Sequence, residues 1–199
     1  ERFDRETSQA ASGGALLQAT GARRIARGGP EPMLLRPVRE APDPRTGGTI
    51  RIAEGPRTRI LVPCFVRFEA TATRRAPRAY FLTAPGPEIV ARLEMHGIRF
   101  FRQEESVTHA VEIHTVRGAT REETPFQKHH LRGTSWDVTA GERTFGPGDL
   151  RIPMEQPLAR LAFHLLDPQG DDGLPVWNFF DEPLDRGPGT EFPVYGLRG

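Results

Sequence analysis

The sequence predicts a β-rich α+β domain, a sandwich or curled antiparallel sheet with two short helices, preceded by an irregular N-terminal arm. Three observations predict it. Glycine (21) and proline (19) make about a fifth of the 199 residues, which favours turns and short strands over a helical bundle. Several runs of strand length alternate apolar with polar residues. Two stretches carry apolar residues at helical spacing, each opened by a proline.

The arm is assigned to residues 1–47 and the β-rich domain to 48–199. Breakers crowd the arm, in Ala10-Ala11-Ser12-Gly13-Gly14, Arg27-Gly28-Gly29-Pro30-Glu31-Pro32 and Ala41 to Gly48. Between them, Ala15 to Ile25 predicts a weak helix through Leu16, Leu17 and Ile25, interrupted at Gly21.

From Gly48 the pattern turns strand-like. Thr49 to Ala53 puts Ile50 and Ile52 on one face, and Arg57 to Thr73 reads as a longer strand marked by Pro63 as an edge or bulge. Ala79 to Leu82 is a short strand. Pro87 then opens a helix to about residue 96, with Ile89, Val90 and Leu93 inward and Gly97 as a left-handed C-cap. Strands follow at 98–101 and 107–116. A hairpin is expected with Trp136 and Val138 on one arm, Thr144 and Phe145 on the other, and a turn at Ala140-Gly141-Glu142. Leu150 to Pro153 forms another strand. The second helix, 157–166, carries Leu158, Leu161, Ala162, Leu165 and Leu166 as its inner stripe, with Arg160 and His164 outward and Pro168 beyond its end.

A net charge of +1 gives no basis for nucleic-acid binding, which needs a strong basic excess. No run of about 18 apolar residues exists, so no membrane-spanning helix is expected. The single cysteine, Cys64, excludes an intrachain disulfide and reads as a buried, inert thiol. The chain opens Glu1-Arg2-Phe3-Asp4, without Met or an apolar signal region, and is expected to be a fragment or processed product. Nothing in the sequence assigns a compartment.

Three pieces between residues 74 and 199 carry a family resemblance. They are Pro77-Arg78-Ala79-Tyr80-Phe81-Leu82, Leu93-Glu94-Met95-His96-Gly97-Ile98, and the run from Gly148 to Asp181 that ends on Trp177-Asn178-Phe179-Phe180-Asp181. Together they resemble the segment that follows the catalytic domain in many bacterial carboxypeptidase A-like zinc peptidases. The resemblance implies a peptidase domain upstream in the same protein, holding zinc, and no cofactor in this chain. Zinc in such a domain polarises the scissile carbonyl and activates water. His109-Ala110-Val111-Glu112 matches the family's His-x-x-Glu pattern, but in an alternating strand these side chains face opposite sides and cannot share a metal. No peptidase residue is carried over.

Two other constellations stand out. Glu112 and His114 share a strand face, and with His130 on a neighbouring strand they would supply three zinc ligands; the plainer reading is a polar outer sheet face. Trp177, Phe179 and Phe180 form either core or a patch that docks another domain or a ligand. Asp171-Asp172-Gly173 reads as a tight turn, since it lacks the spaced carboxylates of a calcium loop.

The leading expectation is a non-catalytic C-terminal accessory domain that supports or docks on a peptidase domain. Its rivals are a free-standing peptide- or glycan-binding module and a small metal-dependent hydrolase built on Glu112, His114 and His130.

Overall fold

The computed structural model describes residues 16–198. Over these, strands predominate and the fold is a β-rich α+β arrangement. The chain divides into two compact units, one of residues 22–69 and one of residues up to 21 together with 70 onward.

The unit of residues 22–69 is a two-stranded antiparallel ribbon. β2 (Glu31–Leu35) pairs with β5 (Thr58–Val62), and β3 (Val38–Pro42) pairs with β4 (Thr49–Ala53). The ends of β1 (Leu17–Ile25) and β6 (Arg67–Arg75), which pair with each other, run into it. The ribbon turns at Asp43, whose carboxylate accepts the Arg45 N–H and the Thr46 hydroxyl, each at 2.9 Å. Gly47 there has a φ of +71°, a left-handed conformation that favours glycine.

The proline- and glycine-rich run at 41–48, read from composition as the end of an irregular arm, is therefore a hairpin turn. The described part of that arm, from residue 16, holds the strands β1, β2 and β3 with short connections between them, and the weak helix expected over 15–25 is β1. Gly21 and the β-branched Thr20 lower helix propensity, and pairing with β6 supplies the backbone partners instead. The part before residue 16 lies outside the described residues. Pro63 and Cys64 split the long strand expected at 57–73 into β5 and β6, and Cys64 is half-buried rather than buried.

The larger unit is built on a six-stranded antiparallel sheet. Its spatial order is β10 (Arg132–Phe145), β9 (Val107–Arg121), β12 (Val194–Leu197), β7 (Ala79–Leu82), β11 (Leu150–Pro153) and β8 (Phe101–Arg102). β7 lies inside the sheet and is buried on both faces. Tyr80 and Leu82 enter the main core, while Phe81 stacks on Phe145 at 4.2 Å on the other face beside Val111 and Tyr195.

The main core packs the sheet against the helices. α1 (Pro87–Met95) inserts Ile89, Val90 and Leu93, and Gly97 follows it with a φ of +70°, as its sequence predicts. α2 (Ala159–Leu166) starts two residues later than predicted and buries Ala159, Ala162, Phe163 and Leu166. Of the expected stripe Ala162 and Leu166 are buried, Leu161 and Leu165 pack on the core while half-buried, and Leu158 is exposed; Phe163 is buried in addition. A third helix, α3 (Asp181–Asp185), adds Leu184 to the core and goes beyond the two expected.

The hairpin expected to turn at residues 140–142 is absent. β10 runs unbroken through them and pairs along its length with β9, so the hairpin turn lies at 122–131. Gly141 sits at a close approach: a Cβ there would lie 2.7 Å from the Ile113 Cδ1 atom, so that side-chain end would have to shift.

Candidate functional site

The polar residues that this fold brings together are Arg74, Tyr80, Glu112, His114, Asp167 and Gln169. Arg74 closes β6, Tyr80 comes from β7, and Glu112 and His114 share one face of β9. Asp167 caps the C-terminus of α2 and is fully buried. Its Oδ2 accepts the Arg74 Nε–H at 3.0 Å and the Tyr80 hydroxyl at 2.7 Å. Its Oδ1 accepts the Gln169 N–H at 3.0 Å. The other side of the Arg74 guanidinium donates to Glu112.

Burial by itself would lower the Arg74 pKa, but Asp167 and Glu112 more than offset this and hold it above its ordinary value. Burial, then the charge of Asp167, push Tyr80 well above the usual phenol range. Tyr80 is therefore a fixed donor. His114 is only 1% exposed. Burial, then the Arg74 charge, press its imidazole down to about 4, so it is neutral at pH 7. Its Nε2 lies 3.2 Å from the Gln169 amide and 3.5 Å from Glu112, while its Nδ1 has no partner among the described residues. One cation held by two carboxylates, a protonated phenol and a buried neutral imidazole form a clamp between the α2 terminus and the sheet.

Of the candidate metal ligands, Glu112 and His114 are neighbours and His130 is elsewhere. His130 lies in the turn between β9 and β10, and its Nδ1 is 2.8 Å from the Glu122 carbonyl oxygen, past the end of β9. From position 114 to position 122 along β9 is roughly 25 Å at about 3.3 Å per residue. The three-ligand arrangement fails because the β9–β10 register sets Val138, and not His130, opposite His114. Among the described residues no group of three or more His, Cys, Asp and Glu side chains is placed to hold a metal. His109 stacks on Phe81 while Glu112 pairs with Arg74 on the opposite face, as strand alternation dictates.

The aromatic trio also divides. Phe180 is core, 4.8 Å from Phe192. Trp177 and Phe179 are half-buried and line a shallow groove of about 350 Å³ with Arg92, His96 and His129. The Trp177 Nε1–H donates to Asp172 at 2.6 Å, its indole lies edge-on to His129 at 5.5 Å, and the exposed Phe126 ring is 6.1 Å away. The Asp171-Asp172-Gly173 segment is a turn, and a Cβ on Gly173 would lie 2.5 Å from the His164 carbonyl oxygen.

Sequence reasoning did not find Arg74, Tyr80 and Asp167 as a set. Arg74 and Asp167 stand 93 positions apart, and the only local signal was a carboxylate directly after an apolar helix, where the C-terminal end of the helix dipole disfavours it. A second groove, of about 520 Å³, opens beside the clamp and is lined by Trp136, Gln169, Arg117 and Asp171.

No family model matches the chain, and no solved structure matches it. Among curated proteins it is similar to Carboxypeptidase 2 of Trichophyton rubrum, with 29% identity over 135 residues. It is also similar to Carboxypeptidase 2 of Trichophyton equinum, at 28% over 135 residues, and of Trichophyton tonsurans, at 28% over 132. The matches take in 64–65% of this chain and 23% of each relative's length. The chain therefore contains a carboxypeptidase-related region and corresponds to a minor part of these relatives.

Proposed function

We propose that this chain is the non-catalytic C-terminal accessory domain of a zinc carboxypeptidase-like protein, resembling the bacterial carboxypeptidase A-like group, and that it docks on a peptidase domain upstream in the same protein. The observation that carries the reading is the similarity of 65% of the chain to only 23% of a carboxypeptidase, which leaves most of the relative's length for a peptidase domain. The side chains support it. Glu112, the acidic half of the His-x-x-Glu pattern, is occupied by Arg74, and His109 faces the other way. Trp177, Phe179 and the exposed Phe126 supply an apolar docking face rimmed by Arg92 and His129. Zinc, in this reading, belongs to the peptidase domain, where it polarises the scissile carbonyl.

The test compares this chain with the longer natural protein that carries the upstream domain. Zinc content after dialysis and release of C-terminal amino acids from peptides are measured on both. Zinc and release in the longer protein only support the proposal. Stoichiometric zinc with peptide hydrolysis in the chain by itself overturns it.

A second reading, a peptide- or glycan-binding module, is favoured by the 520 Å³ groove, where Trp136 is fixed by its Nε1–H donating to the Pro168 carbonyl at 2.7 Å. Quenching of tryptophan fluorescence by oligosaccharides or peptides, lost on Trp136→Phe, distinguishes it.

A further inference from the structure

The ribbon of residues 22–69 has a chemistry of its own. Not one of its residues is fully buried. It holds eleven of the seventeen exposed large hydrophobic residues of the described chain, among them Leu34, Leu61, Phe65, Val66 and Phe68. These lie on both faces, since the cross-strand pairs Met33–Ile60 and Pro32–Leu61 alternate along β2 and β5. An isolated two-stranded ribbon is at best marginally stable in water, so a ribbon this rich in exposed apolar groups fits a role in which something covers it.

Charge indicates what that is. Residues 22–69 hold ten arginines and five acidic residues, a net charge of +5. The rest of the chain holds 17 basic and 21 acidic residues out of totals of 27 and 26, a net charge of −4. Four of the ribbon arginines are paired within it, Arg23 with Glu69, Arg39 with Glu54, Arg51 with Glu40 and, more loosely, Arg45 with Asp43 at 3.9 Å. Among the described residues Arg57, Arg59 and Arg67 form no ion pair of that kind, and they contribute to the ribbon's surplus. The near-neutral whole lets two copies approach without net repulsion, while the opposed halves attract.

The edges of the ribbon argue against sheet extension. Seven of the 19 prolines fall within residues 22–69, and proline together with exposed charge blunts an edge strand. Attachment by side-chain faces remains.

We infer that the ribbon is a basic, apolar arm that docks on the acidic body of a second copy of this chain. A reciprocal exchange of arms closes the contact in a two-fold dimer, with each ribbon covered by the other copy. The inference is independent of the peptidase reading, since both partners are this chain.

The experiment is sedimentation velocity on the whole chain over a range of concentrations, at about 50 mM and about 500 mM salt. A dimer is expected that weakens at least tenfold at the higher salt, because the attraction between exposed charges is screened. Two variants accompany it, Leu61→Asp with Phe68→Asp, and Arg57→Glu with Arg59→Glu. Leu61 is 66% and Phe68 71% exposed, so neither variant opens the core, and an unchanged circular dichroism spectrum checks this. Each is expected to raise the dissociation constant by roughly tenfold or more. A chain that is monomeric at all concentrations overturns the inference. So does a dimer that both variants leave intact, or a monomer whose ribbon residues instead bind a separately produced peptidase domain.

Discussion

Arg74 and Tyr80 donate to the same oxygen of Asp167, at 3.0 Å and 2.7 Å, from two different strands. The carboxylate is fully buried and takes its third hydrogen bond from the Gln169 N–H. A charge withdrawn from water in this way is tolerable only while its cation and donors stay in place.

Replacing Asp167 by Ala leaves the Arg74 guanidinium and the Tyr80 hydroxyl short of partners. The expected cost is about 3 kcal/mol of folding stability, from the loss of one member of a buried pair. Urea denaturation checks it. A loss under about 1 kcal/mol would mean that Glu112 alone satisfies Arg74.

Acid should weaken the fold through His114. Its folded pKa of about 4 lies below the ordinary histidine value of 6.5, so the unfolded chain binds a proton that the folded chain refuses. The neutral histidine costs nothing above pH 6.5, and stability falls as the pH drops from 6.5 to 4. Over that window the loss is about 3 kcal/mol, at 1.36 kcal/mol per pH unit. Arg74, Asp167 and Glu112 are the charged groups facing the ring. His114→Asn should flatten stability against pH in this window, measured as urea midpoints. An unchanged slope would place the acid sensitivity in other groups.

Gly173→Ala should destabilise the chain by roughly 1–3 kcal/mol, because its new methyl meets a backbone oxygen that cannot swing aside. Gly28→Ala, with open space around it, is the control and should stay within about 0.5 kcal/mol of the original. Thermal melts of both variants decide the matter.

Trp177→Ala bears on docking. The indole is half-buried and rests on Asp172, His129 and Phe126 at the rim of a groove. Affinity for a separately produced peptidase domain is expected to fall at least tenfold, as for a central aromatic contact, with the fold retained by circular dichroism. Unchanged affinity would move the docking face elsewhere.

The local features of this fold were legible because each is written within a few residues. The helix at Pro87–Met95 and its Gly97 cap follow from a proline, an apolar triad and a left-handed glycine close together. The separation of His109 from Glu112 follows from strand alternation alone. Gly141 misled, since a glycine that permits the approach of the Ile113 side chain and a glycine that makes a turn are the same letter. The breakers at 41–48 misled similarly: the same prolines and glycines suit a linker or the tip of a ribbon.

By itself the sequence determined the β-rich class, the two main helices and the likeness to a carboxypeptidase-related region, because periodicity, caps and motifs are local. Only the tertiary structure decided which distant side chains meet. It set His130 apart from His114, joined Arg74 to Asp167 across 93 positions, and paired residues 22–42 with 49–69 as a ribbon. Those outcomes depend on strand register and on which surfaces pack together, and neither is encoded in any short stretch of chain.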